Sequence, residues 1–185
     1  MDSLRIVARE TVSRDDVDDA MRALSCRLIN VVPASATVPA QLVFASADGR
    51  TTLHFVHDAH LDEQVFVVAS ADGAAATVVE RLRRAIDTWG DEEIASLTAS
   101  VTDAAALVRG LRMTALTAAP SAATLARFSA GFAHPDEGVR AATLIAAAYA
   151  GWPGLEPDVV RLAEGDPSPA VRAQATALRP RWQRA

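Results

Sequence analysis

Apolar and polar positions change rhythm once along this chain. At its start Leu4, Ile6 and Ala8 alternate with Arg5, Val7 and Arg9, a period of two that predicts a half-buried strand. Ser13 then offers a helix cap with Asp16 three positions on, and Asp15 and Asp16 stand where a helix dipole favours anions. Val17, Met21, Leu24, Leu28 and Val31 follow as one apolar helical stripe. Pro33 and Pro39 bracket a connector, after which 41–45, 51–57 and 64–69 read as strands. Asp48-Gly49 joins the first two as a hairpin, because glycine supplies the positive φ such a turn needs. The expected order is β-α-β-β-β, an antiparallel sheet with a helix on one face.

From residue 72 the spacing turns helical. Val78, Val79, Leu82 and Ile86 make one amphipathic face, closed by Trp89-Gly90, and Asp91 caps a second helix. Asp103 leads into Leu107, Val108, Leu111 and Leu116. Ser121 caps a partner carrying Leu125, Phe128 and Phe132. His134-Pro135 opens a third unit that ends at Gly151-Trp152-Pro153-Gly154, with 155–163 as its second helix, and Asp166-Pro167 opens the last. One phrase occurs twice: His134-Pro135-Asp136-Glu137-Gly138-Val139-Arg140-Ala141 and Asp166-Pro167-Ser168-Pro169-Ala170-Val171-Arg172-Ala173. Unit starts at Asp72, Asp103, His134 and Asp166, with Arg109, Arg140 and Arg172 six places on, mark a repeat array. Asp72 has Val78 at that place, as an atypical end-capping unit should.

These residues resemble HEAT-type repeats, in particular the short bacterial form also found in phycobilin lyases. The likeness covers roughly 72–185 and leaves the earlier part unassigned. It implies a stack of helical hairpins in which the opening Asp and the Arg form a ladder of ion pairs between neighbouring repeats. That gives Asp103, Arg109, Arg140, Asp166 and Arg172 a structural role, with His134 departing from the pattern and Asp136 near enough to substitute. It also implies that the second helix of each pair lines the binding side, which nominates Arg127, Arg161 and Glu164. Trp152, in a Gly-Pro turn, is either an exposed aromatic anchor or a plug between helices. The overall expectation is an α+β chain, 1–71 and 72–185, the two parts packed against each other.

Composition narrows the partners. All 18 basic residues are Arg, which a GC-rich genome explains. Net charge is −5, with 11 acids against 6 Arg in residues 1–72 and 12 against 12 beyond; this disfavours sequence-independent nucleic-acid binding. No apolar run suits a membrane span and no signal sequence opens the chain, so a soluble, cytoplasmic protein is expected. One cysteine, Cys26, excludes an internal disulfide.

Candidate chemistry is sparse. His54, His57, Asp58, His60, Asp62 and Glu63 form the one cluster with metal-ligand chemistry. Yet His54 and His57 have odd separation on a strand and point to opposite faces, and the acids read as a solvated turn. No metal or cofactor is expected. Nucleophile elbow, Cys-x-x-Cys and phosphate loop are all missing. The leading expectation is a non-enzymatic protein-interaction module of adaptor, inhibitor or immunity type. The alternatives are a small-molecule binder or chromophore-lyase-like protein, and a DNA-binding or base-repair protein of HEAT type.

Overall fold

The computed structural model describes residues 2–35, 38–59, 61–99 and 103–182. An α+β chain results, divided into two compact units, Met1–Gly90 and Asp91–Ala185.

The first unit contains β1 (Asp2–Val7), α1 (Arg14–Ala23), β2 (Cys26–Val32), β3 (Ala40–Ser46), β4 (Thr51–Asp58) and β5 (Glu63–Ser70). The strands form one antiparallel sheet in the order β1-β5-β4-β3-β2. Helix α1 begins as its sequence demands: Ser13 Oγ accepts the Asp16 N–H, and the Asp16 carboxylate takes the Ser13 N–H in return. It ends sooner than the apolar stripe predicts. Ser25 adopts a left-handed φ of 57°, and the chain turns into a strand. Leu28 and Val31 therefore lie on β2, not on a helix, and the sheet has five strands instead of four. A β-bulge accounts for their helical spacing. Leu28 faces Phe44 and Asn30 faces Val43, leaving Ile29 as the extra residue, so positions three apart return to one face.

Helix α2 (Ala75–Ala85) joins this sheet. Its Val79 and Leu82, with Ile86 just beyond, share a core with Ile6, Val17, Met21, Phe44, Leu53 and Phe66. Each such side chain contributes roughly 1.5–3 kcal/mol on burial. The helix reckoned as the first repeat thus belongs to the sheet, and the boundary falls after Gly90 rather than at residue 71. Residues 87–89 run along the outer side of β1: the Trp89 N–H donates to the Val7 carbonyl at 2.9 Å, and Ala8 and Thr88 form a bridge.

The second unit holds α3 (Asp91–Ala99), α4 (Ala104–Thr117), α5 (Ala122–Phe132), α6 (Glu137–Ala150), α7 (Glu156–Gly165) and α8 (Pro169–Leu178). Helix α6 lies between α4 and α8 in one layer, while α3, α5 and α7 pack against that layer as hairpin partners. Their shared core contains Leu111, Phe128, Phe132, Leu144, Leu155 and Val171. Close approach uses glycine and alanine alike. A Cβ on Gly131 would stand 2.6 Å from Thr143 Oγ1 and 2.7 Å from Leu111 Cδ1, and Ala175 is fully buried in the shared core while Ala173 is exposed. Gly151, at φ 63°, stops α6 where the sequence predicts. The basic C-terminal stretch is anchored through residue 182, because Trp182 is buried and its Nε1 donates to the Trp152 carbonyl at 2.9 Å; Arg184 lies outside the described residues. Among the described residues no helix is long and apolar enough to cross a membrane.

Candidate functional site

The loops that open α6 and α8 carry the repeated phrase, and their local chemistry repeats with it. The helix caps are Asp136, whose Oδ1 accepts the Gly138 N–H at 2.7 Å, and Ser168, whose Oγ faces the Val171 N–H at 3.5 Å. His134 and Asp166, which open the repeated phrase, stand two residues earlier. There each accepts the N–H of the true cap: Asp136 N–H to His134 Nδ1 at 3.1 Å, Ser168 N–H to Asp166 Oδ1 at 2.8 Å. Six residues on, an arginine folds back onto the loop. Arg140 Nη1 donates to the His134 and Pro135 carbonyls at 2.8 and 2.9 Å, and Arg172 Nη1 donates to the Asp166 and Pro167 carbonyls. Carbonyl groups that no helix could satisfy thus gain a charged donor.

One copy does more. Arg140 also grips Asp166 of the following loop with two parallel bonds, Nε to Oδ2 at 2.7 Å and Nη2 to Oδ1 at 2.9 Å. The side chains are 8% and 1% exposed. Hydrogen bonds from Arg140 hold the Asp166 carboxyl below the usual carboxylate range despite burial, and the same bonds raise Arg140. Asp103 caps α4 by accepting the Ala106 N–H at 3.0 Å, and Arg109 is half-buried on that helix. The structure therefore brings Arg140 and Asp166 together between the two loops, while Arg172 acts within its own loop.

Beside this pair opens a cleft of about 470 Å³ lined by Phe132, His134, Pro135, Arg161, Leu162 and Pro167. Arg161 keeps 56% of its side chain exposed and touches Asp158 at 3.0 Å; Asp158 in turn accepts Ser129 Oγ at 2.7 Å, tying α7 to α5. Arg127 on α5 is half-buried, and Glu164 on α7 is exposed, with Arg179 at 4.0 Å. Trp152 is the plug and not an anchor: it is buried and meets the Phe128 ring edge-on at 5.4 Å.

The histidine cluster stays dispersed. His54 Nδ1 pairs with Gln41 Oε1 at 2.9 Å, His57 is exposed, and His60 lies outside the described residues. Two acids depart from the solvated turn expected of them. Asp58 and Glu63 are buried opposite each other at the β4–β5 turn, where Asp58 Oδ1 accepts the Leu61 N–H at 3.1 Å. Among the described residues no group of three His, Cys, Asp or Glu side chains is placed to hold a metal.

Sequence reasoning missed the cleft and the Ser129–Asp158 link. Neither leaves a signal in spacing, since both arise where helices distant in sequence meet. What the arrangement offers is a loop framework beside a recess with Arg161, paired to Asp158 and half in solvent, at its rim. No protein-family model matches the chain, and no curated protein or solved structure is similar to it.

Proposed function

We propose that this protein is a non-enzymatic interaction module whose helical unit is HEAT-like, and that it recognises a protein partner through the α5/α7 face. The observation that carries this reading is the division of labour among arginines. Arg140 and Arg172 are turned inward onto loop carbonyls, whereas Arg161 stands half in solvent at the rim of a recess walled by Pro135, Leu162 and Pro167. Arginine beside apolar surface is the composition favoured at interface centres. An adaptor, inhibitor or immunity role in the cytoplasm suits such a module.

Affinity capture from the native host, repeated with Arg161→Glu and Arg127→Glu, tests the reading. Loss of one captured protein from both variants, with unchanged circular dichroism, is the expected result. Equal capture by wild type and both variants would remove the α5/α7 face from consideration. A second reading, a small-molecule ligand in the cleft, draws on its volume, which lies in the range of ligand sites. It predicts a bound compound in native mass spectrometry of freshly purified protein.

A further inference from the structure

The sheet of the first unit treats its two edges differently. At the end of β1, residues 87–89 are laid beside 7–9, the Trp89 N–H donating to the Val7 carbonyl, the Arg9 N–H to the Asp87 carbonyl and Ala8 bridging Thr88, and Arg5 is exposed on the strand. Strand β2, at the other edge, is bonded to β3 alone. Its side chains are also bare: Leu28, Ile29 and Val31 are 41%, 52% and 56% exposed. Edge strands in monomers are blunted by charge, proline or cover. Within β2 such devices are Arg27 near its start and the bulge at Ile29, and neither interrupts the aliphatic stretch that follows Arg27 with a charge. From Leu28 to Ala47 the sequence contains no charged residue, although charged types make up 22% of the chain.

We propose that β2 pairs antiparallel with β2 of a second copy of this chain, about a two-fold axis, so that two five-stranded sheets become one. Three features select a second copy over other occupants. The charge-free stretch 28–32, aliphatic apart from Asn30, is matched by the same stretch of the second copy, which desolvates no ion on either side. An antiparallel two-fold places the same apolar segment on both sides of the contact, and the one charge on the strand, Arg27, is held away from the axis when the central residues oppose one another. Residues 87–89 cover the end of β1 at Val7 and Arg5 sets an exposed charge on the rest of that strand, so β1 of a second copy is a poorer partner for β2 than β2 itself, and the β2–β2 pairing closes as a dimer. The interface is small beside a standard one, so the dimer is concentration-dependent.

Two measurements on the full chain test this. Sedimentation velocity over a roughly hundredfold dilution series should show a monomer–dimer equilibrium. Raising the salt should shift it toward dimer, because both copies carry the same net charge of −5. Ile29→Lys or Val31→Lys should weaken association at least about tenfold with an unchanged melting temperature, since both side chains are exposed. In a Cys26→Ser background, single cysteines scanned over 28–32 should form intermolecular disulfides with a maximum at one central position, where directly opposed Cα atoms lie within disulfide reach. A monomer at every concentration, a dimer indifferent to both lysines, or cross-linking without a maximum would each overturn the proposal. So would protection of β2 amides from exchange only on adding a foreign extended peptide, which would assign the edge to another protein.

Discussion

In the loop before α6, Arg140 donates to the carbonyls of His134 and Pro135; in the loop before α8, Arg172 donates to those of Asp166 and Pro167. Residue for residue the two loops are the same device. They differ in what each arginine meets beyond its own loop. Arg140 meets the Asp166 carboxylate and is buried with it, whereas Arg172 remains half-buried without that partner. The same local motif is thus a self-contained clamp in one place and half of a bolt between two loops in the other. Burial, and not sequence, separates the two roles.

The largest expected effect comes from breaking the bolt. Arg140→Ala strands the Asp166 carboxylate in a site where its side chain is 1% exposed, and it frees two loop carbonyls as well. A loss of about 3–5 kcal/mol is expected, as for other buried pairs cut on one side. Urea midpoints at neutral pH measure it. A loss near that of Arg172→Ala would mean that the ion pair adds nothing to the clamp.

Acid weakens the same contact more gradually. Arg140 holds the folded-state pKa of Asp166 below its unfolded value, so between the two the unfolded chain binds the extra proton. Stability from this pair is therefore complete above the unfolded value of about 3.9 and fades as pH falls through the folded one. Wild type should lose stability more steeply below about pH 4 than Asp166→Asn, which has no such proton to bind. Parallel curves for the two proteins would show that Asp166 does not titrate differently on folding.

Arg172→Ala sharpens the comparison from the other side. Only hydrogen bonds to Asp166 and Pro167 carbonyls are lost, at a half-exposed site. About 1–1.5 kcal/mol is expected, again from urea midpoints.

How much of this could be read in advance depends on the range of the interaction. Helix starts at Ser13, Asp103 and Ser121, the hairpin at Asp48-Gly49 and the stop at Gly151 rest on neighbours within a few residues, and each was legible. The Val-Arg recurrence located both clamps for the same reason. The N-terminal stripe misled because Leu28 and Val31 obey helical spacing through a bulge, and because Ser25 turns the chain where neither Gly nor Pro announces a turn. Helix α2 carried an amphipathic face that fits a repeat or a sheet equally well; its partner is chosen by tertiary packing. The cleft and the position of Arg161 at its rim depend on how α5 and α7 meet, which no short-range pattern encodes. Trp152 was ambiguous on sequence because a Gly-Pro turn is compatible with exposure or burial; Phe128 and the Trp182 donor decide for burial.

The smallest effect tests whether His134 and Asp166 are equivalent apart from the bolt. Both accept the N–H of the residue two places on, His134 through Nδ1 and Asp166 through Oδ1. His134→Ala removes that acceptor at a half-exposed site and should cost about 0.5–1 kcal/mol. His134→Asp supplies a carboxylate oxygen in its place, next to the positive end of α6, and should recover most of that loss. At Asp166 the comparable change to Ala also leaves Arg140 buried without its partner and should cost several times more, about 3–5 kcal/mol. Equal losses at the two positions would mean that the loop turn, and not the grip between the two loops, is what Asp166 is there to provide.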